Sequence, residues 1–354
     1  MNTLADVLEL TLGLSFVALA LLCLVIASRQ GDRSLPLAGW AFLAIGFLLL
    51  LNFLGEPTDF RYEALAPIQL LAFLLSGYLL LRFRHGLMPV SLAARRAALA
   101  ATVVLIPAIV FVDLPYNAHP RLGGGEFAMV MAVALVWSVF VAGTAIGFWR
   151  ESRLRPSVQR ARLRALSAGF TGLVIVALTW TGSSNVTGSQ LLVGVQSLAL
   201  AMVPLLYVSF APPLWLRRAW REREETSLFV AQELSLFHPE MQTLADRAVT
   251  WARRLVGADA GFLVSAQGEV LAAHGIAPTD VARSREESSS SVITIPLEYG
   301  QGTGALGLMT GPFTPVFGSD EVERLQAYGS IVAVALDRVR LVMALGHENE
   351  RYER

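Results

Sequence analysis

Residues 127–148 read FAMVMAVALVWSVFVAGTAIGF, an apolar stretch of 22 residues that contains no charge. An α-helix rises about 1.5 Å per residue, so a stretch of this length covers the hydrocarbon core of a bilayer, which is roughly 30 Å thick. Because no residue in it is charged, the predicted helix has no charged side that would face water. The stretch therefore predicts a helix that spans a membrane.

Six further apolar runs of spanning length lie on either side of this stretch. They occur at Leu8–Ala27, Leu35–Leu54, Ala64–Leu81, Ala97–Val112, Ala165–Thr181 and Leu191–Leu214. The chain is 54% hydrophobic, whereas soluble domains are roughly 45–50% apolar, so the excess is expected to face lipid. We therefore expect an all-α bundle of seven spans over residues 1–216, followed by a soluble domain.

Arginine is unevenly distributed among the connections and predicts the orientation. The arginine-rich connections alternate with poor ones and carry Arg29 and Arg33, then Arg82, Arg84, Arg95 and Arg96, then Arg150, Arg153, Arg155, Arg160, Arg162 and Arg164, then Arg217, Arg218, Arg221 and Arg223. Basic residues are retained on the cytoplasmic side of a membrane. We therefore expect an outward N-terminus and a cytoplasmic C-terminal domain.

Polar side chains within the spans are few. Those that could line a pocket in the membrane are Asn52, Gln69, Ser138, Thr179 and Gln196. The alternative, which we favour for this set, is hydrogen bonding between helices. Gly143 and Gly147 form a GxxxG pair, which we attribute to close helix packing. No Asp, Glu, Arg or His lies at mid-depth, which argues against a pump or an ion-coupled transporter.

The region after the last span is basic and permits a helix. We predict a helical connector over residues 217–238, and a helix running unbroken from the last span to about Phe237 would couple the two halves mechanically.

The remaining sequence predicts an α+β domain with an antiparallel sheet. An amphipathic helix is expected over Pro239–Val256, ending at Gly257, and a last helix begins at Ser319. Two hairpins lie between them, formed by Phe262–Ala266 with Val270–Ala273 and by Ser291–Tyr299 with Ala305–Met309.

These elements, with the segments GADAGFLV at 257–264, SVITIPL at 291–297, GALGLM at 304–309 and FGSDEVERL at 317–325, resemble a GAF domain over residues 239–345. GAF domains are small-molecule sensing modules of bacterial signalling proteins. The seven-span half resembles the membrane sensor regions that precede such domains in bacterial histidine kinases. The resemblance implies signal transduction, of the two-component type, in a bacterial inner membrane.

One departure from the family bears on ligand binding. GAF domains that hold cyclic nucleotides or bilins have a long stretch between the two hairpins, whereas only Ile276–Ser290 is available here. The single cysteine, Cys23, lies in the first span, so no bilin can attach covalently to the domain. We therefore expect no cofactor, and a domain used for dimerisation and relay rather than for ligand capture.

The last helix carries two apolar sides. The predicted dimer and relay residues are Leu325, Val332, Leu336, Val339 and Met343. A second side contains Ile331, Val334, Ala335 and Val342, and the alternative is one broad face against the helix's own domain. Residues 346–354 are predicted to begin a signalling coiled coil or to form a tail.

No catalytic or metal-binding motif is found. The five histidines, His85, His119, His238, His274 and His347, are not paired at metal-ligand spacing. The formal net charge of zero gives no indication of a nucleic-acid partner. Two hypotheses remain: a non-enzymatic sensor that signals as a homodimer to a histidine kinase or another output protein, or the sensory portion of a kinase whose catalytic domains are missing or separate.

Overall fold

The chain folds into two compact units. A computed structural model describes residues 3–30, 34–55, 65–111, 124–183, 189–216, 219–220, 240–281, 292–300, 302–310, 313 and 319–352. The first unit comprises Met1–Arg153 with Ala161–Pro213. The second comprises Leu154–Arg160 with Leu214–Arg354.

Seven helices of the described chain are long and apolar enough to cross a membrane, which confirms the predicted number of spans. They are α1 (Thr3–Gln30), α2 (Leu35–Gly55), α3 (Leu65–Leu87), α4 (Leu92–Phe111), α5 (Gly124–Ser152), α6 (Ser157–Ser183) and α7 (Ser189–Phe210). Each helix covers its predicted apolar run to within one residue at either end, except α7, which ends four residues before the predicted Leu214.

The early end of α7 changes the expected junction. Residues 211–213 are not helical, because Pro212 and Pro213 lack amide donors and disfavour helical geometry in the residue before them. No unbroken helix therefore leaves the last span. Of the predicted connector over 217–238, Ala219 and Trp220 are helical, and the rest lies outside the described residues.

A chain of phenylalanine rings forms the centre of the first unit. Neighbouring rings have centroids 5.8–6.3 Å apart, and the side chains are Phe16, Phe42, Phe83, Phe148, Phe170 and Phe210. These rings come from every spanning helix except α4, and all are buried. Leu99, Val103 and Val104 of α4 are at least half exposed, as expected for a surface that faces lipid.

The glycine pair of α5 accommodates an arginine. Arg84 of α3 donates from Nη1 to the Gly143 carbonyl oxygen at 2.8 Å. A Cβ on Gly147 would lie 2.5 Å from Arg84 Nε, whereas one on Gly143 would lie 3.8 Å from Nη1. Close packing was expected here, and the partner is a guanidinium group on α3.

The second unit contains the predicted antiparallel sheet of four strands. These are β1 (Ala258–Val264), β2 (Val270–His274), β3 (Val292–Tyr299) and β4 (Gly302–Thr310), in the order β2-β1-β4-β3. In the β1–β2 hairpin Val264 pairs with Val270, and in the β3–β4 hairpin Tyr299 pairs with Gly302. Strand β3 lies at one edge of the sheet and carries Pro296.

Two helices pack against the sheet, α8 (Met241–Val256) and α9 (Ser319–Tyr352). Helix α8 buries Leu244, Ala248 and Ala252 at the i, i+4, i+8 spacing of one helix face. The shared core also contains Leu263, Leu297, Leu306 and Leu308 from the strands. A separate cluster contains Phe262, Val264 and Val281, and the Phe262 ring leaves no room for a Cβ at Gly307.

The predicted dimer and relay side of helix α9 is mostly buried within its own domain. Leu325, Val332, Leu336 and Val339 are at most 5% exposed and lie in the core shared with the sheet and α8. They are therefore not available to a partner as the dimer contact that the sequence suggested, and Met343 alone of the five is exposed, at 41%. The reason is that these residues lie on the face of α9 that covers β3.

Candidate functional site

The first unit contains a cavity of about 330 Å³, a size typical of small-molecule sites. It lies among the N-terminal halves of α1, α3, α5 and α7 and the C-terminal halves of α2 and α6. Consecutive spans run in opposite directions, so all these ends meet on the side of the bundle where the N-terminus lies. None of the described residues that line it is charged.

Among the described residues the lining is apolar apart from four polar side chains, Asn52, Gln69, Thr181 and Gln196. Gln69 Nε2 donates to Asn52 Oδ1 at 2.9 Å, which joins α3 to α2. Gln196 on α7 is 4% exposed, and its buried Oε1 atom accepts no hydrogen bond from any residue that the structure describes. A buried acceptor without a donor costs about 1–3 kcal/mol.

One wall of the cavity is built around Trp137 of α5. The indole Nε1 donates to Ser76 Oγ of α3 at 2.9 Å, and the ring stacks on Phe73 at 4.6 Å between centroids. A Cβ on Gly77 would lie 2.5 Å from Trp137 Cδ1, so the glycine makes room for the ring. These contacts fix the shape of the apolar wall.

The structure brings three of the five predicted pocket residues together. Asn52, Gln69 and Gln196 line the cavity, and the first two also form the bond between helices that was the alternative. Ser138 is buried on α5 but does not line the cavity, and Thr179 on α6 is exposed. Trp137 was not among the predicted pocket residues, although a tryptophan at mid-span has an N–H that must be satisfied there.

A second arrangement lies within the second unit. We call Leu154–Arg160, which comprises the end of the connection between α5 and α6 and the first turn of α6, the docking segment. The last carbonyl groups of a helix lack partners within it, and the docking segment supplies donors to two at the end of α8. Gln159 Nε2 donates to the Val256 carbonyl oxygen at 3.0 Å, and Arg155 Nη1 donates to the Gly257 carbonyl oxygen at 2.8 Å.

Charge and burial support this capping contact. A cation is favourable at the negative end of the helix dipole, and the Arg155 guanidinium also lies 5.0 Å from the centroid of the Phe313 ring. Its approach to Asp259, 3.8 Å at a carboxylate that is 70% exposed, adds little because water screens it. Gln159 is fully buried.

Gly257 closes the contact from the side of α8. Its φ of 69° is left-handed, the usual geometry of the residue that ends a helix. A Cβ at this position would also lie 2.8 Å from Pro156 Cδ. The sequence predicted the end of α8 at this glycine but not its contact with a loop about a hundred residues earlier.

In the described part of the chain, no cluster of three or more His, Cys, Asp or Glu side chains could hold a metal ion. His274 Nε2 lies 3.5 Å from Asp246 Oδ1, in a partly exposed pair between β2 and α8. The cavity and the docking segment are thus the candidate functional features.

Comparisons with known proteins give no relative: no protein family, curated protein or solved structure matches this chain.

Proposed function

We propose that this protein is an integral-membrane signalling sensor whose helical half receives a cue and whose C-terminal GAF-like domain relays it. The observation that carries the proposal is the docking segment. It is continuous with α5 and α6 along the chain, and its side chains cap α8 within the unit that contains the sheet. A shift of α5 or α6 would therefore act on the end of α8.

The GAF-like domain acts in this proposal as a relay and not as a ligand site. The bulky Phe262 side chain, which packs with Val264 and Val281 and covers Gly307, supports this role. We place the domain in the cytoplasm of a bacterial cell, because the arginine-rich connections define that side.

The output of the relay is a parallel homodimer formed by α9, which presents the signal to a histidine kinase or another output protein. The exposed side of α9 has apolar residues at heptad spacing. Ile331, Val334, Leu341 and Leu345 occupy alternating a and d positions, with Arg338 at the a position between them, and the apolar members are 36–70% exposed. This seam replaces the buried set that the sequence suggested.

Cysteine crosslinking in membranes tests the dimer. In full-length protein with Cys23→Ser, single cysteines at Val334, Leu341 and Leu345 are expected to form disulfide-linked dimers. Arg340, exposed on a different side of α9, is the matched control and is expected to crosslink weakly. Equal crosslinking at all four positions, or none at any, would contradict the seam.

A pair of glycine variants tests the relay. Gly257→Ala and Gly268→Ala both place a side chain at positive φ, 69° and 86°, but only the first meets Pro156. With a cysteine at Leu345, Gly257→Ala is expected to change the crosslinking rate beyond any effect of Gly268→Ala. Indistinguishable rates for the two variants would refute transmission through the docking segment.

A further inference from the structure

We infer that the membrane cavity binds a neutral, mainly hydrocarbon molecule that carries one hydroxyl or N–H donor, and that Gln196 recognises this donor. The inference concerns binding alone and stands or fails independently of the relay. It rests on the composition of the lining, on the hydrogen bonds already made there, and on one unmatched atom.

The lining defines the body of the ligand. Apolar groups from six helices surround the cavity, among them Phe16, Leu49, Phe73 and Trp137, and within the part of the chain that the structure describes no lining side chain carries a charge. A charged ligand would leave water for this environment without a counter-ion, at a cost of several kcal/mol. A hydrocarbon body meets no such penalty.

The polar lining residues define its functional group. Asn52 and Gln69 are partly satisfied by each other through their 2.9 Å bond. Gln196 Oε1 is buried without a donor among the described residues, and within a membrane no bulk water is available to supply one. An amide carbonyl accepts a hydrogen bond, so the missing group is a donor on the ligand.

Ser138 shows why the position of the unmatched atom matters. Its Oγ is also buried without a partner, but Ser138 does not line the cavity. Ser138 therefore serves as the matched control for Gln196.

Photolabelling of the full-length protein in phosphatidylcholine nanodiscs tests the inference. The probes are a decanol that carries a diazirine and its methyl ether, which has the same hydrocarbon body but no donor. The alcohol is expected to label cavity-lining residues about tenfold more efficiently than the ether, the ratio that corresponds to one net hydrogen bond of ~1.4 kcal/mol.

Three substitutions assign that preference to the cavity. Gln196→Leu is expected to remove the preference for the alcohol while ether labelling persists, and Ser138→Ala is expected to leave the preference intact. Ala199→Phe, which fills the cavity from α7, is expected to abolish labelling by both probes. Circular dichroism checks that each variant is helical. If Ala199→Phe does not fold, the comparison of Gln196→Leu with the unmodified protein still decides the test.

Competition separates the two sources of such a ligand. Hexanol equilibrates through water, whereas oleyl alcohol stays in the bilayer. Stronger competition by hexanol would indicate a diffusible ligand, and stronger competition by oleyl alcohol would indicate a membrane-resident ligand. Decanoate, which is charged, is expected not to compete. Equal labelling by alcohol and ether in the unmodified protein, or retention of the preference in Gln196→Leu, would overturn the inference.

Discussion

Leu336→Ala and Val334→Ala, two residues apart on α9, are expected to have very different effects on the stability of the C-terminal domain. Leu336 is fully buried in the core, and Val334 is 70% exposed. Truncating a buried leucine removes its transfer free energy and leaves a cavity, which costs about 2–5 kcal/mol. In detergent, at a protein concentration where the proposed α9 seam is not formed, an exposed substitution such as Val334→Ala usually changes stability by less than about 0.5 kcal/mol.

Hydrogen exchange in the full-length protein measures this difference. Amides of β1 and β4 lie at the centre of the sheet and exchange when the domain opens. Since 1.4 kcal/mol corresponds to a factor of ten, Leu336→Ala is expected to accelerate exchange by about 30-fold to several thousandfold. Val334→Ala is expected to change it by no more than about twofold. Fast exchange in Val334→Ala together with unchanged exchange in Leu336→Ala would refute the assignment of the two faces.

Two further predictions concern other contacts. Gly147→Ala is expected to displace Arg84 from the Gly143 carbonyl group and to destabilise the helical unit by about 1–3 kcal/mol. Gly143→Ala is expected to be tolerated, because its Cβ would lie 3.8 Å from Arg84 Nη1. Thermal unfolding in detergent compares the two variants, and equal melting temperatures would contradict the packing. Burial raises the pKa of Tyr328 above its ordinary value, and the Tyr328 hydroxyl donates to the Ala248 carbonyl oxygen of α8. The neutral hydroxyl therefore contributes fully to the stability of the domain below the unfolded pKa of about 10, and this contribution is lost as the pH rises through the folded pKa. Tyr328→Phe is therefore expected to reduce the alkaline loss of near-ultraviolet circular dichroism, and identical pH profiles for the two proteins would count against that contact.

The sequence predicted the elements well and their partners poorly. Seven apolar runs and two hairpins follow from hydropathy and from turn residues, which act over a few positions. The capping of α8 by Gln159 depends on residues about a hundred positions apart, and periodicity holds no information on such a contact. For the same reason the heptad pattern of α9 showed two apolar sides but not which one the sheet would cover.

The candidate cavity was partly predictable for a similar reason. Polar residues in apolar helices are few, so Asn52, Gln69 and Gln196 could be selected on type alone. Thr179 was selected by the same rule, yet it is exposed. It lies two positions before Thr181, which lines the cavity, and two positions along a helix rotate a side chain by about 200°. Only the three-dimensional packing shows that the Gln196 acceptor is unmatched.

The edge of the sheet has a consequence for self-association and for solubility. Strand β3 lies at the edge with one side unpaired by any described strand, a geometry that invites further strands to add and so to nucleate aggregates. Pro296 interrupts the row of amide donors there, and the exposed Glu298 would place like charges side by side in a symmetric pairing. At the β3 edge these two residues therefore oppose the edge-to-edge pairing of copies of the domain that leads to fibrils.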